Sequence, residues 1–141
     1  MTKFKKNLIQ QKTKLINENL NLLSEISKTV NLNKFLNDVT IQLQVERLFE
    51  RVIGRLIDIN YHILKEEYKT LPTNYYQSFI KIGQKGLVDK NLATKLARAA
   101  GMRNILAHEY DAINASLVYK AIDKLLAQVP TYVMQVMKKI K

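Results

Sequence analysis

The stretch Val45-Glu46-Arg47-Leu48-Phe49-Glu50-Arg51-Val52-Ile53-Gly54-Arg55-Leu56-Ile57-Asp58-Ile59-Asn60-Tyr61-His62-Ile63 places Val45, Leu48, Val52, Leu56, Ile59 and Ile63 at three- and four-residue steps. Apolar residues at that period share one face of an α-helix, and further apolar side chains surround this stripe. The segment therefore reads as the central, most buried helix, extending from about Phe35 to Tyr68. Upstream, Leu8, Leu15 and Leu22, beside Ile9, Ile16, Leu23 and Val30, repeat every seven residues and predict a first long helix near 4–30. Downstream, Thr70-Leu71-Pro72-Thr73-Asn74 interrupts the pattern. A short helix is then expected from Tyr75 to Ile82, ended by Gly83 and Gly86. Asp89 is a plausible N-cap for an alanine-rich helix running to about Glu109. The last helix begins near Asn114 and carries Val118, Ile122, Leu125, Val129, Val133, Val136 and Ile140, with Pro130 expected to kink it.

The chain has 141 residues, four glycines and two prolines, and shows no strand alternation, low-complexity tract or internal repeat. The expected fold class is all-α: one domain over 1–141, built as an up-and-down antiparallel bundle of four to five helices.

Composition narrows the function classes. Hydrophobic residues make up 47% and charged residues 25%, the balance of a chain that folds in water. No apolar run approaches the length of a membrane span. The N-terminus, with Lys3, Lys5 and Lys6, lacks the apolar core of a signal peptide, so a cytoplasmic location with no membrane partner is expected. Without cysteine there are no disulfides, zinc thiolates or thiol nucleophiles, and only His62 and His108 remain as nitrogen ligands; no metal site is expected. Lys and Arg number 23 against 12 Asp and Glu, a net charge of +11, which favours a polyanionic partner. Acidic membranes and acidic proteins are polyanions too, so charge alone places nucleic acid only modestly ahead.

The segment Gly101-Met102-Arg103-Asn104-Ile105-Leu106-Ala107-His108-Glu109-Tyr110 concentrates an arginine, an amide, an imidazole and a phenol. Arginine presents a permanently charged planar fork to phosphate oxygens, and histidine exchanges a proton near neutral pH. Together they suit cleavage of a phosphodiester. RNA carries its own nucleophile, the 2′-hydroxyl, so protons need only be moved and charge stabilised on the phosphorane, with no metal or cofactor required. Asn104 and His108, four apart, share a helical face. Arg103 and His108, five apart, diverge by about 140° on an ideal helix. Either the long arginine swings round near Gly101, or sites from two subunits meet across a two-fold axis, the account favoured here.

This pattern, Gly-x-Arg-Asn-x-x-x-His-x-Tyr after two long helices and before a long C-terminal one, resembles the HEPN domain, and more narrowly the HepT toxins, whose diagnostic motif is Arg-x4-His-x-Tyr. The resemblance covers essentially the whole chain. It implies a dimeric, metal-independent ribonuclease toxin of a type VII toxin–antitoxin pair, partnered by a minimal nucleotidyltransferase antitoxin, MntA. It further implies that Arg103 and His108 are the catalytic pair and Asn104 the supporting polar residue. Tyr110 is then the hydroxyl that the antitoxin modifies with AMP drawn from ATP. RNA is the expected substrate, with tRNA a candidate.

Each of these residues also has a structural account. His108 can be a helix-end histidine at the C-terminal dipole, Arg103 a salt-bridged surface arginine, Asn104 a backbone hydrogen-bonder, and Tyr110 a ring packed on the bundle with its hydroxyl wet. Arg47, Arg51 and Arg55, spaced by four, form a ridge able to guide an RNA backbone. Pairing with Glu46, Glu50 and Asp58 is the slightly favoured alternative. Lys138, Lys139 and Lys141 read as a solvated tail, His62 as a packed or surface histidine, and Tyr75 and Tyr76 as core or interface residues rather than base-stacking ones. The competing functional readings are a non-catalytic helical module that partners a nucleotidyltransferase, and a nucleic-acid-binding regulator.

Overall fold

The computed structural model describes residues 3–140, with side chains from residue 6 onward. Lys141 of the basic tail and the side chains of Lys3 and Lys5 lie outside the described residues. Helix α1 spans Lys3–Thr29, α2 Leu32–Leu36, α3 Val39–Tyr68, α4 Tyr75–Gln84, α5 Lys90–His108 and α6 Ala115–Lys139, with a 3-10 turn at Tyr110–Ala112 between the last two. The described residues contain no strand, and α3 touches each of the other five helices. The chain is thus an all-helical bundle around one long buried helix. No helix among the described residues is long and apolar enough to cross a membrane.

Helix starts follow one chemical rule. Asn31, Asp38, Asn74, Asp89 and Asn114 each accept a hydrogen bond from the backbone N–H three residues ahead, at 2.8 to 3.2 Å. Such caps satisfy amides that have no partner inside the helix and contribute about 1 kcal/mol apiece. The Asp38 cap also explains a departure from the sequence reading. The helix expected from about Phe35 to Tyr68 is two helices, because Asn37 and Asp38 donate back to the carbonyls of Lys34 and Phe35 and close a turn before α3 starts. The resulting single turn, α2, exists to bury Phe35, whose ring packs at 5.2 Å against Tyr119 of α6. With it the described residues form six α-helices.

Two further boundaries are set by backbone geometry. Lys69, which ends α3, sits in the left-handed region at φ 53°, and the Thr70 N–H closes the helix end on the Leu64 carbonyl at 3.1 Å. Gly83 does not end α4 but lies within it, where an added Cβ would come within 2.8 Å of the Ala93 Cβ. A hydrogen at that position lets α4 and α5 pack at close range. Pro130 occupies an exposed position inside α6, which stays continuous to Lys139.

The core is largely apolar, and a chain of hydrogen bonds runs through it. The Tyr132 hydroxyl, fully buried in α6, donates to the Asn60 side-chain oxygen on α3. Asn60 Nδ2 donates to Ser78 Oγ on α4 at 3.1 Å, and Ser78 Oγ donates to the Tyr75 carbonyl at 2.7 Å. Burial pushes the Tyr132 phenol well above the usual tyrosine range, which keeps it a donor at any physiological pH. Three helices are therefore pinned through one amide. Replacing Tyr132 with Phe leaves the Asn60 oxygen buried without its donor and is expected to cost roughly 1–3 kcal/mol. Thermal unfolding should then show a midpoint lowered by several degrees; an unchanged midpoint would mean the network contributes nothing to stability.

Candidate functional site

Helix α5 carries Arg103, Asn104 and His108 of the residues singled out in the sequence. Its inward face is Leu92, Ala93, Leu96, Ala97 and Ala100, small or aliphatic side chains that let the helix lie close on α3 and α4. The buried Leu106 anchors the last turn, and the helix ends where the Glu109 N–H bonds to the Ile105 carbonyl at 2.8 Å. His108 is the last helical residue, exposed at the negative end of the helix, and the 3-10 turn that follows holds Tyr110 with 72% of its surface in solvent.

Arg103 points elsewhere. Half-buried, it lays its guanidinium over the Tyr75 ring at 5.4 Å from the centroid, while Nη1 reaches the side-chain oxygen of exposed Asn104 at 3.4 Å. It lines a cleft of about 730 Å³ bounded by α1, α3, the loop before α4, α4 and α5. His108, Asn104 and Tyr110 do not line that cleft. Within one chain, Arg103 and Asn104 are in contact, and His108 and Tyr110 sit together at the exposed helix end.

Most of the cleft wall comes from α3. Arg51, Arg55, Asp58, His62 and Lys65 follow one another at three- and four-residue steps and all line it. Its carboxylates are already engaged: Asp58 with Lys12 at 3.1 Å, and Glu50 with Arg47 at 3.7 Å. Arg55 donates to the Asn19 side-chain oxygen on α1. Of the pairings expected along the ridge, only that of Arg47 with Glu50 takes this form. Asp58 goes to α1 and Arg55 to an amide, which leaves the cleft an excess of positive charge. Tyr61 meets Tyr75 edge-on at 6.0 Å, and its phenol is pushed above the usual value by burial first and then by the Tyr75 hydroxyl.

His62 was read from the sequence as a packed or surface residue. In the structure it lines the cleft, and its Nε2, like the Arg103 Nε, is buried with no hydrogen-bond partner. The signal was present: steps of four, three and four from Arg51 lead through Arg55 and Asp58 to His62. Tyr75 likewise lines the cleft, as the support of Arg103, and Tyr76 is exposed beside it. Among the described residues no group of three or more His, Cys, Asp or Glu is placed to hold a metal ion.

Comparison with known proteins adds a family to this geometry. A tRNA nuclease HepT of Aphanizomenon flos-aquae (strain 2012/KM1/D3) is 33% identical over 136 residues, spanning 96% of this chain and 92% of that protein. An mRNA nuclease HepT of Shewanella oneidensis is 29% identical over 90 residues, 64% of this chain and 68% of that one. Among solved structures, a toxin–antitoxin complex with AMP-PNP superposes with a TM-score of 0.85 at 22% identity, covering 96% of this chain and 99% of that one. The tri-AMPylated Shewanella oneidensis HEPN toxin in complex with MNT antitoxin superposes with a TM-score of 0.84 at 23% identity over the full length of both chains. These superpositions establish the fold. Residues 16–136 match the family described as Ribonuclease HepT-like, and the chain belongs to that family.

Proposed function

We propose that this chain is a metal-independent ribonuclease toxin acting in the cytoplasm, with a site composed from two copies of the chain. The observation that carries the reading is the α5 segment: a family arginine set in a cationic cleft, followed one and a half turns later by an exposed histidine at the helix end. The RNA 2′-hydroxyl attacks the adjacent phosphorus, forming the 2′–O–P bond as the P–O5′ bond breaks. The proton leaves the 2′-oxygen and one is delivered to the 5′-oxygen, giving a 2′,3′-cyclic phosphate and a 5′-hydroxyl. His108 moves the proton, Arg103 stabilises the charge that grows on the non-bridging oxygens, and Asn104, in contact with Arg103, steadies the guanidinium. Arg51 and Arg55, with Arg47 at the outer end of the ridge, guide the strand. tRNA is the candidate substrate, on the strength of the 33% identity to a tRNA nuclease.

Removing the imidazole or the guanidinium should each lower cleavage by 100-fold or more, on the order of the usual contribution of a proton-transfer or charge-stabilising group. The assay is digestion of total tRNA by wild type, His108→Ala and Arg103→Ala in EDTA, with circular dichroism to verify folding. Loss of activity in EDTA, or full activity in both variants, refutes the mechanism. Full retention of the partner nucleotidyltransferase by a wild-type protein that never cuts RNA would instead favour the non-catalytic interaction module.

The separation of Arg103 from His108 within one chain calls for a homodimer. Sedimentation should give twice the chain mass of 16.4 kDa. If the site is composite, mixing the Arg103→Ala and His108→Ala proteins and allowing subunits to exchange should restore part of the activity, because one of the two sites in the mixed dimer is then whole. A fully active monomer, or no recovery on mixing, counts against it.

Control is assigned to Tyr110, the exposed hydroxyl two residues past His108, as the acceptor of AMP from an MntA-type nucleotidyltransferase using ATP. An attached nucleotide adds bulk and a phosphate beside the catalytic pair, where it competes with RNA phosphate for the arginine. Tyr110→Phe should fold, cut RNA and escape silencing when co-expressed with its partner. Intact-mass spectrometry should show AMP on wild type alone; nucleotide attached elsewhere, or modified protein that still cuts, rules the switch out.

A further inference from the structure

Two buried side-chain polar atoms among the described residues lack a hydrogen-bond partner, His62 Nε2 and Arg103 Nε, and both belong to residues that line the same cleft. They come from different helices, α3 and α5, and lie 41 positions apart in sequence. Buried polar atoms are nearly always satisfied, so two unpartnered nitrogens on residues that line one cavity point to a partner supplied from outside the chain.

The surroundings specify that acceptor. The two cleft carboxylates are engaged by Lys12 and Arg47, so neither is given over to Arg103. The guanidinium is held by the face of Tyr75 rather than by an anion, a contact that fixes its plane while leaving an N–H edge available. Arg51, Arg55 and Lys65 add positive charge around the opening. A histidine with its proton on Nε2 and a guanidinium on the wall of one cleft offer donors that suit two oxygens of one tetrahedral anion. The ligand chemistry is therefore a phosphodiester.

We propose that His62 and Arg103 together bind one phosphodiester of the RNA strand in the cleft, and that His62 is a substrate-binding residue of the enzyme. The proposal rests on the reading that RNA is the substrate and extends it to a residue outside the α5 motif. His62 touches the strand to hold it; proton transfer stays with His108, which does not line the cleft. Arg103 thereby links grip and chemistry, since its Nη1 also meets the Asn104 side-chain oxygen.

The test is binding of a fluorescent single-stranded oligonucleotide with 2′-deoxy sugars, which lacks the nucleophile and cannot be cut by this route, read by anisotropy with the full chain. His62→Phe keeps a ring of similar size but removes the donor, and should weaken binding about 10-fold or more, as loss of a hydrogen bond to a charged group does. His62→Gln places an amide N–H near the position of Nε2 and should bind within about threefold of wild type. On cleavable RNA, His62→Phe should raise KM much more than it lowers kcat, a split that a merely structural role would not produce. Because the two residues share one phosphate, the His62→Phe, Arg103→Gln double variant should bind little worse than the weaker single variant. Equal binding by wild type and His62→Phe, or equal weakness of the Gln and Phe variants, overturns the proposal, as does failure of wild type to bind the oligonucleotide. A protein that shows the expected binding pattern yet cuts no RNA keeps the phosphate site and refutes the ribonuclease reading; robust cleavage with no effect at His62 does the reverse.

Discussion

The amide of Asn60 is the constraint on which the arrangement of helices depends. It lies in the middle of α3 with no access to water, so its oxygen and its NH₂ group must find partners inside the protein or cost more than they contribute. Tyr132 from α6 satisfies the oxygen and Ser78 from α4 accepts from the nitrogen. A hydrophobic contact tolerates sliding by an ångström; a buried hydrogen bond does not, and three helices are therefore held in one register. Ser78 passes the constraint to the Tyr75 carbonyl at the start of α4, and Tyr75 is the ring on which Arg103 rests. The position of the cleft arginine thus traces back through Tyr75 and Ser78 to one buried amide.

Close packing of α4 and α5 completes the positioning. Gly83 against Ala93 removes the volume that would hold the two helices apart, and the alanines of α5 continue the same close approach. A helix seated so tightly has little freedom to rotate about its axis. The faces on which Arg103 and His108 emerge are fixed accordingly: one in the cleft, the other at the open end of the helix.

Charge is organised by a different device. Helix α3 is apolar toward the bundle and presents Arg51, Arg55, His62 and Lys65 along one edge, while α1 contributes Lys12 to occupy Asp58 and Asn19 to occupy Arg55. Helix α1 therefore tunes the edge of α3, neutralising its carboxylate and orienting an arginine without cancelling its charge. The net charge of +11 is spread over the whole chain, but in this cleft it meets aromatic rings and orphaned donors.

What the sequence determined by itself was most of the features that depend on neighbours within a few positions. The seven-residue repeat identifies α1 and the three- and four-residue apolar steps identify α3 and α6, because a helix closes its hydrogen bonds over four residues and its buried face follows from that period. Asp89 and the Thr70–Asn74 break mark ends for the same local reason, and the 103–110 motif stands out because its members lie close together in sequence. The split at Asn37 and Asp38 was less visible, since an aspartate that caps a helix and one that rides on its surface look alike until the turn is seen to close. Tertiary structure alone decided which residues meet across the chain. Asn60 and Tyr132 are 72 positions apart, and His62 reaches the Arg103 cleft only because the loop before α4 and the packing of α5 bring the two helices together. No local period encodes such pairs; they arise from folding the apolar faces onto one another, which carries polar residues along and leaves each to find a partner or to wait for one.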